Sequence, residues 1–256
     1  MDVWRETGTG ALAIEAPVAL VFDGSTQAVM MASPSDLEDF ALGFALTEGV
    51  IDGPDDVVRF EACEQELGLE ARMWLKPELS ARLNARRRAM LGPVGCGLCG
   101  IDSLKEALRP ARLVGRTVTL GREDPSRAMA SLRAAQPLQD ATRAAHAAAL
   151  WSAEGGLHVL REDIGRHNAL DKLAGALARS AVGRLGQGGI LVLTSRLSVD
   201  LVQKAGMIGA EVIVAAGAPT SLAVDEAARA GITLIGRTRD TSYEIYTHEF
   251  RIREAA

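Results

Sequence analysis

Three short apolar runs in the C-terminal half constrain the fold most: Ile190 to Thr194, Val212 to Ala215 and Ile232 to Ile235. None alternates apolar with polar residues, so each reads as a strand buried on both faces. Val199 to Gly209 and Leu222 to Gly231 lie between them and have helical periodicity. This β-α-β-α-β order predicts an α/β, three-layer domain with a mostly parallel sheet covered on both faces. Just upstream, Gly156 to Leu160 reads as a strand, Asn168 to Ala181 as a helix, and Thr142 to Trp151 as an apolar, Ala-rich stretch.

The N-terminal part has a different pattern. Short apolar runs at Leu12 to Ala13, Val18 to Phe22 and Val29 to Met31 surround Asp23-Gly24, a hairpin signal. Ser33-Pro34-Ser35-Asp36 reads as a helix start. Leu37, Phe40, Ala41, Phe44 and Ala45 then share one helical face, and Gly49 closes the helix. Residues 50–76 read as two strands around Glu64 to Gly68, and 78–89 as a basic helix. Asp124-Pro125-Ser126 starts a further helix through Ala135. These shifts predict a smaller N-terminal α+β domain over 1–92, a connecting segment over 93–125, and the α/β domain over 126–256. The chain has 256 residues, 48% hydrophobic but 4% aromatic, so the core is expected to be aliphatic.

The formal net charge is −5. That argues against broad binding of nucleic acid or an anionic membrane, while leaving room for a local anion pocket. Met1 to Gly10 has no apolar run of signal-peptide length, and no stretch approaches the roughly 18 apolar residues of a membrane helix. A cytoplasmic protein is expected. In that compartment a CxxC pair is metal-binding or catalytic more often than structural.

Three regions carry candidate chemistry. In open α/β sheets, ligands sit beyond the carboxyl ends of the strands. Those ends carry Ser195-Arg196-Leu197-Ser198, Ala218-Pro219-Thr220-Ser221 and Arg237-Thr238-Arg239, a set suited to a phosphorylated or nucleotide-like ligand; Ser198 and Ser221 also read as plain helix caps. Arg161 to Lys172 is a dense mixed-charge turn at a helix start; the crowding of Arg166, His167, Asn168, Asp171 and Lys172 there reads as polar site lining, with His167 a better candidate than His146 or His248. Finally, Cys96 and Cys99 lie in a Gly-rich loop, Pro93 to Gly100. A thiol of ordinary pKa, about 8.5, becomes nucleophilic as thiolate, and the second cysteine of a pair resolves what the first has bonded. A structural zinc site needs four ligands, and beyond this pair only Cys63 and a few scattered His remain, with no second CxxC. A zinc deaminase lacks HxE and the Pro before the first Cys. Redox and sulfur transfer both remain open on these residues alone.

The chain resembles the formate dehydrogenase accessory sulfurtransferases of the FdhD type, from about Glu15 to Ile252. The resemblance rests on Met30 to Pro34, Asp36 to Phe44, Glu48-Gly49, Cys96 to Gly100, Glu162 to Lys172, Ser195-Arg196 and Tyr246-Thr247-His248. It implies a sulfur carrier that takes persulfide sulfur from a cysteine desulfurase and passes it to the molybdenum bis-guanine-dinucleotide cofactor of formate dehydrogenase. Cys96 maps to the carrier and Cys99 to its helper. Arg237, Thr238, Arg239, Asp240, Thr241 and Ser242 map to the guanine-dinucleotide loop, with GDP or GMP as a mimic. Ser195 and Arg196 join them as candidate phosphate contacts, and Arg166 and His167 as acceptor lining. The resemblance also implies a homodimer and a C-terminal domain like cytidine deaminase without its zinc. A non-catalytic cofactor chaperone and a CxxC redox protein are the alternative functions. Two departures stand out. Arg237 replaces an aromatic residue, and Thr142-Arg143-Ala144-Ala145-His146 lacks an expected Gly pair, so a remodelled loop is expected before His146.

Overall fold

A computed structural model of the protein describes residues 1–8, 10–80, 83, 110–180 and 188–253. Cys96, Cys99, the segment 94–100 and most of the expected basic helix at 78–89 lie outside the described residues; its described start, 77–80, is helical.

The chain opens with a small hairpin, β1 (Trp4–Thr7) and β2 (Gly10–Ala13). A four-stranded sheet follows, from β3 (Ala16–Phe22), β4 (Ser25–Ala32), β5 (Val57–Gln65) and β6 (Gly68–Leu75), in the order β4-β3-β6-β5. Asp23 and Gly24 join β3 to β4 with φ of 49° and 74°, the two-residue turn whose twist matches paired strands. Alternation on β6 buries Leu69, Ala71, Met73 and Leu75 on one face. With Val18, Leu20 and Phe22 they pack against Phe40, Ala41 and Ala45 of α1 (Leu37–Thr47). The Ser33-Pro34-Ser35-Asp36 start differs from expectation in one respect: Asp36 is the cap position, but no side chain caps the helix.

The C-terminal half contains β7 (Leu120–Gly121), α2 (Asp124–Arg133), α3 (Pro137–Thr142), β8 (His146–Ser152), β9 (Gly156–Asp163) and α4 (Arg166–Arg179). It continues with β10 (Gly189–Leu193), α5 (Val199–Met207), β11 (Val212–Ala215), α6 (Ser221–Ala230), β12 (Thr233–Gly236), β13 (Glu244–Ile245) and β14 (Ile252–Arg253). Six strands form one sheet in the order β13-β12-β11-β10-β8-β9. The three apolar runs are its parallel centre, β10-β11-β12. The sheet as a whole is mixed rather than mostly parallel, because its other three pairings are antiparallel. Connection length accounts for the β8–β9 pairing. A short turn joins β8 to β9, and a turn of that size reverses the chain, whereas parallel neighbours need a crossover such as α5 or α6.

Both sheet faces are covered. Leu170 and Leu173 of α4, Leu201 and Val202 of α5, and Ala223 and Ala227 of α6 bury Leu191, Leu193, Ile213 and Leu234. Met129 and Leu132 of α2 bury Ala149, Trp151, Val192 and Val214 on the other face. The linker-like stretch before residue 125 is pinned where it is described: the Glu211 carboxylate accepts the N–H groups of Thr117 at 2.7 Å and Val118 at 3.0 Å. Among the described residues, no helix is long and apolar enough to cross a membrane.

Helices α1 and α4 join the two halves, and they touch backbone to backbone. A Cβ on Gly43 would overlap the Asp171 carbonyl, and one on Gly175 would overlap the Asp39 carbonyl. Glycine is required at both points for this approach. Gly43→Ala and Gly175→Ala are each expected to cost about 1–3 kcal/mol in urea unfolding, from overpacking. Gly53→Ala, whose Cβ would meet open space, is the control with little change expected.

Candidate functional site at the sheet edge

The mixed-charge segment Glu162 to Lys172 runs from the end of β9 into α4, and its side chains divide into two groups. Most of them build the joint. Asp163 and Lys172 are both fully buried and pair at 2.7 Å. The Asp163 carboxylate also accepts N–H groups from Ser33 (3.0 Å), Gly165 (2.8 Å) and Asn168 (2.9 Å). Lys172 donates to the Ser33 carbonyl, and Asn168 to the Met31 carbonyl, each at 2.9 Å. Asp171 accepts the Thr47 hydroxyl at 2.6 Å and pairs with Lys204 at 3.0 Å. Burial alone would lower the Lys204 pKa, but the Asp171 and Glu48 carboxylates hold it above its ordinary value. Glu162 accepts the N–H groups of Leu138 and Gln139 at the start of α3.

Arg166 and His167 are the exception, and both remain partly exposed. His167 pairs with Asp200 in the first turn of α5. Burial opposes ionisation of Asp200, yet the adjacent His167 and Ser198 side chains hold its carboxyl far below the usual range.

The three strand ends meet as expected from their sequence. Gly217 donates to the Ser195 carbonyl at 3.1 Å, Leu197 to Ala218 at 3.2 Å, and Arg237 to Gly217 at 3.0 Å. Thr220, rather than Ser221, caps α6, and Ser198 occupies the α5 cap position without a side-chain cap bond. Ser195 is buried and donates to the Arg196 carbonyl, while Arg196 is exposed. Arg237 has φ 51° and pairs with Glu244 at 3.2 Å. Arg239 donates its N–H to the Ser242 carbonyl at 2.8 Å, which leaves Arg239, Asp240, Thr241 and Ser242 on an exposed turn. Thr238 is buried, and its hydroxyl has no hydrogen-bond partner among the described residues.

A cavity of about 690 Å³ opens at this edge, lined by Thr194 and Ala216 from the strand ends, Arg133 and Gln139 from α2 and α3, Arg143 just after α3, and His146 at the start of β8. It falls within the size range of small-molecule sites. Arg133 ties it to the exposed turn, reaching the Thr238 carbonyl at 3.3 Å and Asp240 at 3.4 Å. Burial, then the Arg166 charge, lowers the His146 pKa, so the imidazole is neutral at neutral pH; Asp163 opposes that shift and His167 adds to it. His146 thus relates Arg166 and His167 electrostatically to the cavity. Arg133 and Gln139 were not singled out by the sequence, and Arg143 only as a departure. A polar stretch interrupted by Pro137, just ahead of a buried strand, was the available signal. Ahead of His146, Arg143 takes a glycine-like φ of 57°. The third cysteine, Cys63, lies on β5; desolvation and the Glu61 carboxylate push its thiol pKa up, away from nucleophilic reactivity.

The FdhD/NarQ family model matches residues 13–253. The chain belongs to the FdhD/NarQ family. It is 46% identical over 247 residues to the sulfur carrier protein FdhD of Agrobacterium fabrum strain C58, covering 96% of this chain and 90% of that one. It is 50% identical over 242 residues to the sulfur carrier protein FdhD of Brucella abortus biovar 1, covering 94% and 89%. A crystal structure described as a putative formate dehydrogenase accessory protein from Desulfotalea psychrophila superposes with a TM-score of 0.74 at 25% identity, over 98% of this chain and 96% of that one. This FdhD/NarQ chain therefore shares its architecture with a solved protein over nearly its whole length.

Two outcomes test the site's framework. Lys172→Met leaves Asp163 buried without its cation, and should cost about 3–5 kcal/mol in denaturant unfolding; a loss below about 1 kcal/mol would contradict the buried pair. For His146, the folded pKa is lowered, so the unfolded chain takes up the proton first as pH falls. Its contribution is complete above the ordinary value of 6.5 and is lost as pH falls toward the folded value. Wild type should therefore lose more stability than His146→Gln between about pH 7.5 and about pH 5.5. Equal losses would remove His146 from the effect.

Proposed function

We propose that this protein is a persulfide-relay sulfurtransferase for the molybdenum bis-guanine-dinucleotide cofactor, acting in the maturation of formate dehydrogenase. Its relatives' designation as sulfur carriers supports the sulfur chemistry. The observation that carries the acceptor side is the polar cavity at the strand ends, joined by Arg133 to the 237–242 turn.

In the first step the Cys96 thiolate attacks the terminal sulfur of a desulfurase persulfide. A new S–S bond forms on Cys96, and the desulfurase cysteine leaves as thiolate. In the second step the Cys99 thiolate attacks the Cys96 sulfur. The Cys96–Cys99 disulfide forms, and the terminal sulfur leaves as hydrosulfide, reduced by the two electrons the thiol pair supplies. An external thiol reductant resets the pair. The acceptor cofactor is the substrate of this transfer, with its guanine nucleotides on Ser195, Arg196 and the 237–242 turn, and Arg166 and His167 facing the reacting end.

Incubation with a cysteine desulfurase and cysteine should add the mass of one sulfur atom to the Cys96 peptide. Cys96→Ala should abolish the adduct, and Cys99→Ser should retain it while slowing hydrosulfide release. GDP affinity should fall about tenfold in Arg239→Ala, the loss of one charge-assisted contact. Intact GDP binding without any sulfur adduct would overturn the relay.

A further inference from the structure

Arg143 occupies the C-cap of α3 at φ 57° and ψ 20°, a conformation that glycine adopts freely and an L side chain only under strain. The local backbone gives no reason for an arginine. The closing hydrogen bond, from the Arg143 N–H to the Gln139 carbonyl at 2.8 Å, needs no particular side chain. Nor does the guanidinium have a strong partner among the described residues. Its ion pair with Asp140 is long, at 3.7 Å, and the two side chains are 76% and 61% exposed. A pair of that kind contributes little.

What the side chain does is line the cavity. A second guanidinium, that of Arg133, lines it from α2 and is held by similarly long contacts of 3.3 and 3.4 Å. Gln139 and Thr194 line the same cavity. The Gln139 amide oxygen is already engaged by the Ala145 N–H at 2.9 Å, which leaves its NH2 to donate. Asp140 is the carboxylate in this lining. Two weakly held guanidinium groups from different elements, with neutral donors in the same lining, match an anion that has two charged centres. Arginine forks bind phosphate oxygens in pairs.

The geometry points to Arg143 as a diphosphate-binding residue of this cavity, working with Arg133 and kept at a strained backbone position for that contact. The inference rests on the proposed function only for the nucleoside attached to the diphosphate.

The test uses calorimetric titration of the full chain with inorganic pyrophosphate, GDP and guanosine. Wild type should bind pyrophosphate and GDP. Arg143→Gly relieves the left-handed strain, so its melting temperature should equal or exceed that of wild type. Its affinity for pyrophosphate and GDP should nevertheless fall about tenfold or more, with guanosine binding unchanged. Arg143→Lys keeps the charge but not the fork, and should recover part of the loss. Unchanged pyrophosphate and GDP affinity in both Arg143→Gly and Arg143→Gln would overturn the inference and leave the guanine-nucleotide reading standing. Pyrophosphate binding that depends on Arg143, with no preference for GDP over ADP, would uphold the inference and overturn the guanine assignment. No binding of any probe by wild type would overturn both.

Discussion

The structure depends on one fully buried ion pair, Asp163 with Lys172. Neither charge is tolerable in a dry interior without the other, and the pair alone would still leave lone pairs and protons unsatisfied. Ser33 answers that need from the other half of the chain, donating its N–H to Asp163 and accepting the Lys172 ammonium at its carbonyl. The pair therefore forms only when α4 and the segment before α1 are in place together. Around it, Arg161 and Arg179 clasp Asp39, and Lys204 bridges Asp171 and Glu48. The glycine contacts at Gly43 and Gly175 bring the helices close enough for these groups to meet.

This joint has a consequence for function. It fixes the end of β9 and the first turn of α4, the stretch that presents Arg166 and His167. A site built on rigid elements holds its geometry better than one carried on loops. The cavity and the three stitched strand ends lie on the same sheet, so a ligand there meets a preset surface on one side. The 237–242 turn is different: apart from the buried Thr238 it is exposed, and long contacts to Arg133 tether it.

Much of the fold was legible in the residues. The Asp23-Gly24 turn, the α1 face and the β10-α5-β11-α6-β12 order all follow from local periodicity and turn chemistry, which act over a few residues. Strand direction at the sheet's margins was not legible, because an apolar run such as Ala147 to Trp151 looks the same whether its neighbour is parallel or antiparallel. The role of Ser33 was hidden for a related reason: its partners lie 130 or more residues away, and a Ser ahead of a helix looks like a cap. Glu162 to Lys172 stood out as dense charge, but density does not say which charges will be buried.

By itself, then, the sequence determined the α/β class, the parallel centre, the strand ends that meet at one edge, and a family resemblance that the FdhD/NarQ match confirms. Tertiary structure decided the mixed sheet, the division of the mixed-charge motif between joint and edge, and the gathering of Arg133, Gln139, Arg143 and His146 around one cavity. The physical reason is range. Hydrophobic period and turn preference are properties of neighbouring residues, whereas a buried charge or a cavity wall is defined by whatever the rest of the chain brings against it.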